Sequence, residues 1–186
     1  GGNKEQQCYT DQKSNAFVKD GILNIVARHN MSFDQEHINN EATNKNTLPY
    51  TSAKLQTMNK GDWKYGRFEI RAKLPYGQGT WPAIWMLPTD TVYGGWPHSG
   101  EIDIFESVNL ETVNNEGVEE AYVHGNLWYG RSWPNQSNSG QHYELPEGQK
   151  PSDGFHTYAI EWEAGEIRWY VDGHLYQTQR RSEVFI

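Results

Sequence analysis

Apolar and polar residues alternate with a period of two along most of the chain, and no long stripe with the 3.6-residue period of an amphipathic helix competes with it. The clearest case is residues 67–74, where Phe68, Ile70, Ala72 and Leu74 alternate with Arg67, Glu69, Arg71 and Lys73. This predicts a strand with one face in a core and the other in water. Lys19-Asp20-Gly21 separates the apolar runs 16–18 and 22–27, and Asp172-Gly173 separates 167–171 from 174–177. Both are hairpin signatures, because Asp-Gly accepts the left-handed backbone of a two-residue turn. Further strands are predicted at 52–58, 83–87, 102–105, 122–127 and 155–162, set apart by Gly, Pro, Asn and Ser clusters. The polar stretches 39–47 and 131–151 read as long surface loops, since strands resume on both sides of each. The whole pattern predicts an all-β sandwich or barrel.

At 186 residues the chain has the length of one domain, and 8 Trp, 11 Tyr and 6 Phe give it a large aromatic content. Its 16 basic and 24 acidic residues leave a net charge of −8, which repels phosphate backbones and argues against nucleic acid as a partner. No apolar run approaches the ~18 residues of a membrane span, so none is expected. Cys8 stands alone, which excludes an intramolecular disulfide and any multi-cysteine metal site.

Chemistry concentrates at residues 100–106, Gly-Glu-Ile-Asp-Ile-Phe-Glu. In a strand, Glu101 and Asp103 share one face while Ile102 and Ile104 share the other, so the acids can line a surface and the isoleucines enter a core. Glu106 is out of phase, and one extra residue near Ile104-Phe105, a β-bulge, would return it to the face of the other two. Two carboxyl groups converging to about 5–5.5 Å suit a retaining glycosidase, and a third between them would raise at least one pKa. A solvated acidic strand face or a cation site fits these seven residues equally well.

The upstream segment 81–87, Trp-Pro-Ala-Ile-Trp-Met-Leu, puts Trp81, Ala83, Trp85 and Leu87 on one strand face and Ile84 and Met86 on the other. Indole rings pack on the apolar C–H faces of sugars, so the set Trp81, Trp85, Trp96 and Trp128 beside paired carboxylates favours a polysaccharide site.

These motifs resemble family 16 glycoside hydrolases, in particular the bacterial laminarinase-like endo-β-1,3-glucanases. The resemblance is carried by residues 81–87, by Gly95-Trp96-Pro97-His98-Ser99-Gly100 and by Glu101 to Glu106 in that order. It is supported by Asn3-Lys4-Glu5-Gln6-Gln7, Tyr65-Gly66-Arg67-Phe68-Glu69, Val123-His124-Gly125, Phe155-His156-Thr157-Tyr158 and Arg168-Trp169-Tyr170-Val171-Asp172-Gly173. It implies a concanavalin A-like β-jelly-roll sandwich with a concave substrate cleft. It also implies Glu101 as nucleophile, Glu106 as acid/base and Asp103 as the residue tuning the nucleophile. Trp81, Trp85 and Trp96 would hold sugars near the scissile bond, with Trp128, His124, Arg67 and Asn3 as further substrate-binding candidates. Where relatives carry His-Gly-Thr-x-His, this chain reads His124-Gly125-Asn126-Leu127-Trp128, so a second His contact is missing.

The expected activity is hydrolysis of internal β-1,3-glucosidic bonds in laminarin-type glucan with retention. Mixed-linkage glucan or another family 16 polysaccharide is the alternative substrate, and a non-catalytic β-glucan-binding module the alternative of another class. No cofactor is expected for catalysis, and a structural calcium ion is left open without residues to assign to it. Residues 1–186 are expected to form a single catalytic domain that lacks the opening and closing strands usual in the family. It would be a monomer unless it is a fragment completed by another segment. A polymeric substrate implies an extracellular or cell-surface location.

Overall fold

A computed structural model describes residues 3–29 and 48–181, in two compact units, Gly1–Met58 and Asn59–Ile186. The stretch 39–47, expected to be a loop, lies outside the described residues.

In the first unit β1 (Gln7–Tyr9), β2 (Ala16–Lys19), β3 (Ile22–Ile25), β4 (Arg28–His29) and β5 (Tyr50–Ser52) follow in order. β2 and β3 form the predicted hairpin, with Asp20 at φ 52° and Gly21 at φ 76°, the left-handed pair that a tight turn between twisted strands requires. β5 pairs in parallel with β1 and antiparallel with β4. Asn15, fully buried, ties the unit together: its amide donates to Val26 O and Thr51 Oγ1, and its carbonyl accepts from Thr10 Oγ1 at 2.6 Å. The strand expected at 52–58 ends at Ser52, because β1 stops opposite it and β4 stops opposite Thr51, leaving no paired backbone alongside 53–58 among the described residues.

The second unit contains β6 (Gly66–Ala72), β7 (Ala83–Met86), β8 (Glu101–Glu106), β9 (Tyr122–Gly130), β10 (Gln136–Glu144), β11 (His156–Glu163), β12 (Glu166–Val171) and β13 (His174–Arg180). They form two antiparallel sheets, β10-β9-β8-β7 and β13-β12-β11-β6. One core joins the sheets: Ile102, Ile104, Phe105 and Val123 from the first meet Tyr158, Ile160, Ile167, Trp169 and Val171 from the second. Phe105 and Tyr158 have ring centroids 4.4 Å apart. Trp169, with no exposed surface, donates its indole N–H to the backbone carbonyl of Asp103 at 2.8 Å. This sandwich is what a period of two requires, since each strand has one apolar face to bury.

β6 keeps the predicted alternation, with Phe68, Ile70 and Ala72 packed on the core and Arg67, Glu69 and Arg71 exposed. The second predicted hairpin joins β12 to β13 through Asp172 at φ 49° and Gly173 at φ 79°. The long loop expected at 131–151 is corrected: its middle is β10, paired with β9 over nine positions from Gln136↔Gly130 to Glu144↔Tyr122. Among the described residues β10 ends the sheet and pairs with β9 alone, so mostly exposed Ser, Asn, Gln and His side chains suffice and strand composition is not demanded.

Gly125, on the core side of β9, has no room for a side chain: a Cβ there would lie 2.6 Å from Trp169 Cδ1 and closer still to the Tyr176 hydroxyl. Gly125→Ala is expected to destabilise the protein by about 1–3 kcal/mol through overpacking, read as a lower midpoint in urea unfolding.

Candidate active site

β8 carries two demands in six residues. Ile102, Ile104 and Phe105 all sit in the core, although Ile104 and Phe105 are consecutive and a regular strand would send one of them to the opposite face. The strand resolves this with a bulge: Asp103 faces Asn126 and Glu106 faces His124, three steps on β8 against two on β9. The same irregularity appears on the other side, where Ile84 faces Phe105 and Trp85 faces Asp103. Residues directly opposite one another share a face. Glu101, Asp103 and Glu106 therefore project together from the side away from the core, beside Trp85 on β7 and His124, Asn126 and Trp128 on β9. The bulge expected from the spacing is present.

Each outer carboxylate receives an indole N–H. Trp96 Nε1 donates to Glu101 Oε2 at 2.8 Å, and Trp81 Nε1 donates to Glu106 Oε1 at 2.9 Å. Trp128, opposite Glu101, lies with its ring centroid 5.5 Å from that of Trp96 at an interplanar angle of 51°. The expected strand platform of Trp81 and Trp85 is corrected, because β7 begins at Ala83 and Trp81 precedes it. Its polar edge is spent on Glu106, while Trp85 is half-buried opposite Asp103.

Asp103 is 1% exposed, and its carboxylate oxygens are enclosed without a well-formed hydrogen bond, with Glu101 and Asn126 the polar groups set against them. Burial first, then the charges of Glu106 and Glu101, push its pKa up to about 8. Burial also raises Glu106 above the usual carboxylate range, against the opposing effect of the Trp81 bond. His124 is lowered by burial and by the neighbouring His142. The His124 and His142 rings meet edge-on at 4.7 Å, and His142 stacks on Tyr122 at 3.9 Å.

Asn126, His142 and Tyr122 thus join the site face although the sequence alone did not single them out. Asn126 falls between His124 and Trp128 in the period-two pattern, a signal that was available. His142 lies in a stretch whose composition is that of a loop, and only its pairing opposite His124 brings it to the site. One candidate of the second unit is not gathered here. Arg67 lies on the outward face of β6, in the second sheet, bonded to Glu69 and Glu161 and set 5.1 Å over the Tyr170 ring. The alternation that buries Phe68 turns Arg67 to the other side, away from the carboxylates. Asn3 belongs to the first unit, where it is an exposed turn residue. Among the described residues no group of three or more His, Cys, Asp or Glu is placed to hold a metal ion.

Glycosyl hydrolases family 16 matches the chain over residues 3–185. The chain belongs to that family. This family 16 chain is 44% identical over 180 residues to a β-glucanase of Rhodothermus marinus, covering 94% of this chain and 54% of that protein. It is 42% identical over 175 residues to glucan endo-1,3-beta-glucosidase A1 of Niallia circulans, covering 94% of this chain and 24% of that protein. Among solved structures, the catalytic domain of an endo-1,3-beta-glucanase (laminarinase) from Thermotoga petrophila matches with a TM-score of 0.78 at 41% identity, covering 98% of this chain and 65% of that one. The family 16 chain thus spans about half or less of the length of these curated relatives. Its fold is the all-β jelly-roll sandwich expected from the resemblance.

Asp103 holds its proton more tightly in the folded chain, rising from 3.8 to about 8, so the stability this contributes is present at low pH and lost as pH rises through that window. Asp103→Asn is expected to flatten the dependence and to be more stable than the parent at about pH 9 by roughly 1–3 kcal/mol, measured by urea unfolding at both ends of the window.

Proposed function

We propose that this chain is the catalytic part of a retaining endo-glycosidase that cleaves internal β-1,3-glucosidic bonds of laminarin-type glucan. The observation that carries the reading is the bulged β8, which sets Glu101 and Glu106 on one face, each under an indole N–H, with Asp103 enclosed between them. Two carboxyl groups in unlike environments take the two roles such a reaction needs.

Glu101 attacks the anomeric carbon, and the Trp96 N–H holds the carboxylate in place. Asp103, protonated near neutral pH, keeps a second negative charge away from Glu101 and can donate a hydrogen bond to it. Glu106, whose pKa burial raises, is the acid that gives the leaving oxygen its proton. It then removes a proton from the water that releases the glycosyl-enzyme. Trp96, Trp128 and Trp85 offer apolar surface to sugar rings, and His124 offers a neutral imidazole for hydroxyl groups. The likeness to endo-1,3-β-glucanases supports the linkage. A polymer of this kind is met outside the cell, so the reading carries an extracellular or cell-surface location.

Reducing-end release from laminarin, with mixed-linkage glucan run beside it, tests the proposal. Glu101→Gln is expected to lower release from laminarin by at least about 10³-fold while the protein stays folded. A folded parent that binds laminarin and releases nothing overturns the reading and leaves a binding module.

A second variant reads the acid. Trp81→Phe removes the donor that favours ionised Glu106, so the Glu106 pKa rises further and the alkaline limb of the pH–rate profile moves to higher pH.

A further inference from the structure

On the core side of the bulge, two residues of β8 stand against one of β9. Asp103 faces Asn126 and Glu106 faces His124, so Ile104 and Phe105 have Gly125 alone set against them. Gly125 carries no side chain, and the indole of Trp169 takes the space: a Cβ at Gly125 would lie 2.6 Å from Trp169 Cδ1 and 3.0 Å from its Nε1. From there Nε1 donates to the Asp103 carbonyl at 2.8 Å. One ring of the second sheet is thus lodged against the extra residue that brings Glu106 into line.

Trp169 has no exposed surface, so its N–H has no water to turn to, and a buried donor without an acceptor is costly. The bond therefore restricts where the Asp103 peptide can lie. The Asp103 side chain leaves that same residue toward the site face, and Glu106 follows three residues later on the far side of the bulge. A shift of the peptide moves both carboxyl groups relative to Glu101, which precedes the bulge and is held by Trp96. Catalytic geometry tolerates little of this, since a misplacement of about 1 Å can cost on the order of 10²-fold in rate. Trp169 belongs to the core, so its route to the reaction is this carbonyl.

We propose that Trp169 is a positioning residue for the carboxyl groups of the site: its N–H, seated against Gly125, fixes the bulge so that Asp103 and Glu106 stand correctly against Glu101. The proposal rests on the hydrolase reading above and adds to it a residue from the facing sheet.

The test removes the donor and keeps the ring. Trp169 is replaced by its benzothienyl analogue, in which sulfur stands where the N–H was, with Trp169→Phe beside it and Ile167→Val as a loss of core packing two residues along β12. On laminarin the analogue is expected to lower kcat by about 10- to 100-fold with KM within about twofold, because a misplaced acid costs the transition state rather than substrate binding. Trp169→Phe is expected to act in the same direction, and Ile167→Val to keep the parental kcat. A folded analogue with the parental kcat overturns the proposal, as does an equal fall in Ile167→Val.

Carbon-13 titration of the side-chain carboxyl groups reads the same placement without turnover. Asp103 is expected to titrate at about 8 in the parent and closer to its ordinary 3.8 in the analogue, as a relaxed bulge admits water between it and its neighbours Glu101 and Glu106. A parent that releases nothing from laminarin sinks the hydrolase reading, and this titration then decides alone: equal Asp103 values in the two proteins overturn the positioning role, and a lowered value in the analogue upholds it.

Discussion

Strand β8 has to satisfy two surroundings with one backbone, and the bulge between Asp103 and Glu106 is how it does so. On one side it delivers Ile102, Ile104 and Phe105 to the core between the two sheets. On the other it lines up three carboxyl groups that a regular strand would divide between opposite faces. The register of both neighbours follows from this, since β7 and β9 each accommodate the extra residue. A bulge interrupts the ladder, and at its start the Asp103 carbonyl accepts the indole N–H of buried Trp169 from across the core. The second sheet thereby holds the most sensitive point of the first.

The electrostatics follow from the same placement. Asp103 lies between two carboxyl groups and almost out of reach of water, so burial and like charge act in one direction and keep its proton on near neutral pH. Glu106 is raised by burial and moderated by Trp81, whose bond favours the charged form. The two indole donors act on unlike groups: Trp96 steadies a carboxylate that attacks under the proposed mechanism, and Trp81 limits how far the acid is raised.

Around this centre the aromatic residues divide their work by exposure. Trp169, Phe105 and Tyr158 fill the core, and Trp96 and Trp128 border the carboxylates with rings partly open. Trp133 and Tyr93 stand in water on joined loops. On the outward face of the second sheet, Arg67 and Arg168 converge on Glu161, an ion-pair lattice whose exposed members are held in high dielectric and contribute modestly.

Much of this was legible in the residues. Alternation alone located β6, β7, β8, β9, β11 and both Asp-Gly hairpins, because a half-buried strand must repeat every two residues and such a turn must tolerate positive φ. Glu106, out of phase with Glu101 and Asp103, announced the bulge near Ile104-Phe105, since only an extra step returns it to their face, and the same step lets Ile104 and Phe105 both enter the core. Other features depended on partners remote in sequence. Residues 136–144 carry no strand composition and become β10 because β9 offers nine residues of backbone to pair with. Arg67 looks like a site residue from its neighbours in the motif, yet the face it occupies is decided by which side of β6 meets the core. The His142–His124 contact and the Trp169 bond to Asp103 join positions far apart along the chain. Local sequence sets the period, the turns and the chemistry available on each strand; the packing of one sheet on the other decides which of those groups meet, because register and burial are properties of the pair and not of either strand.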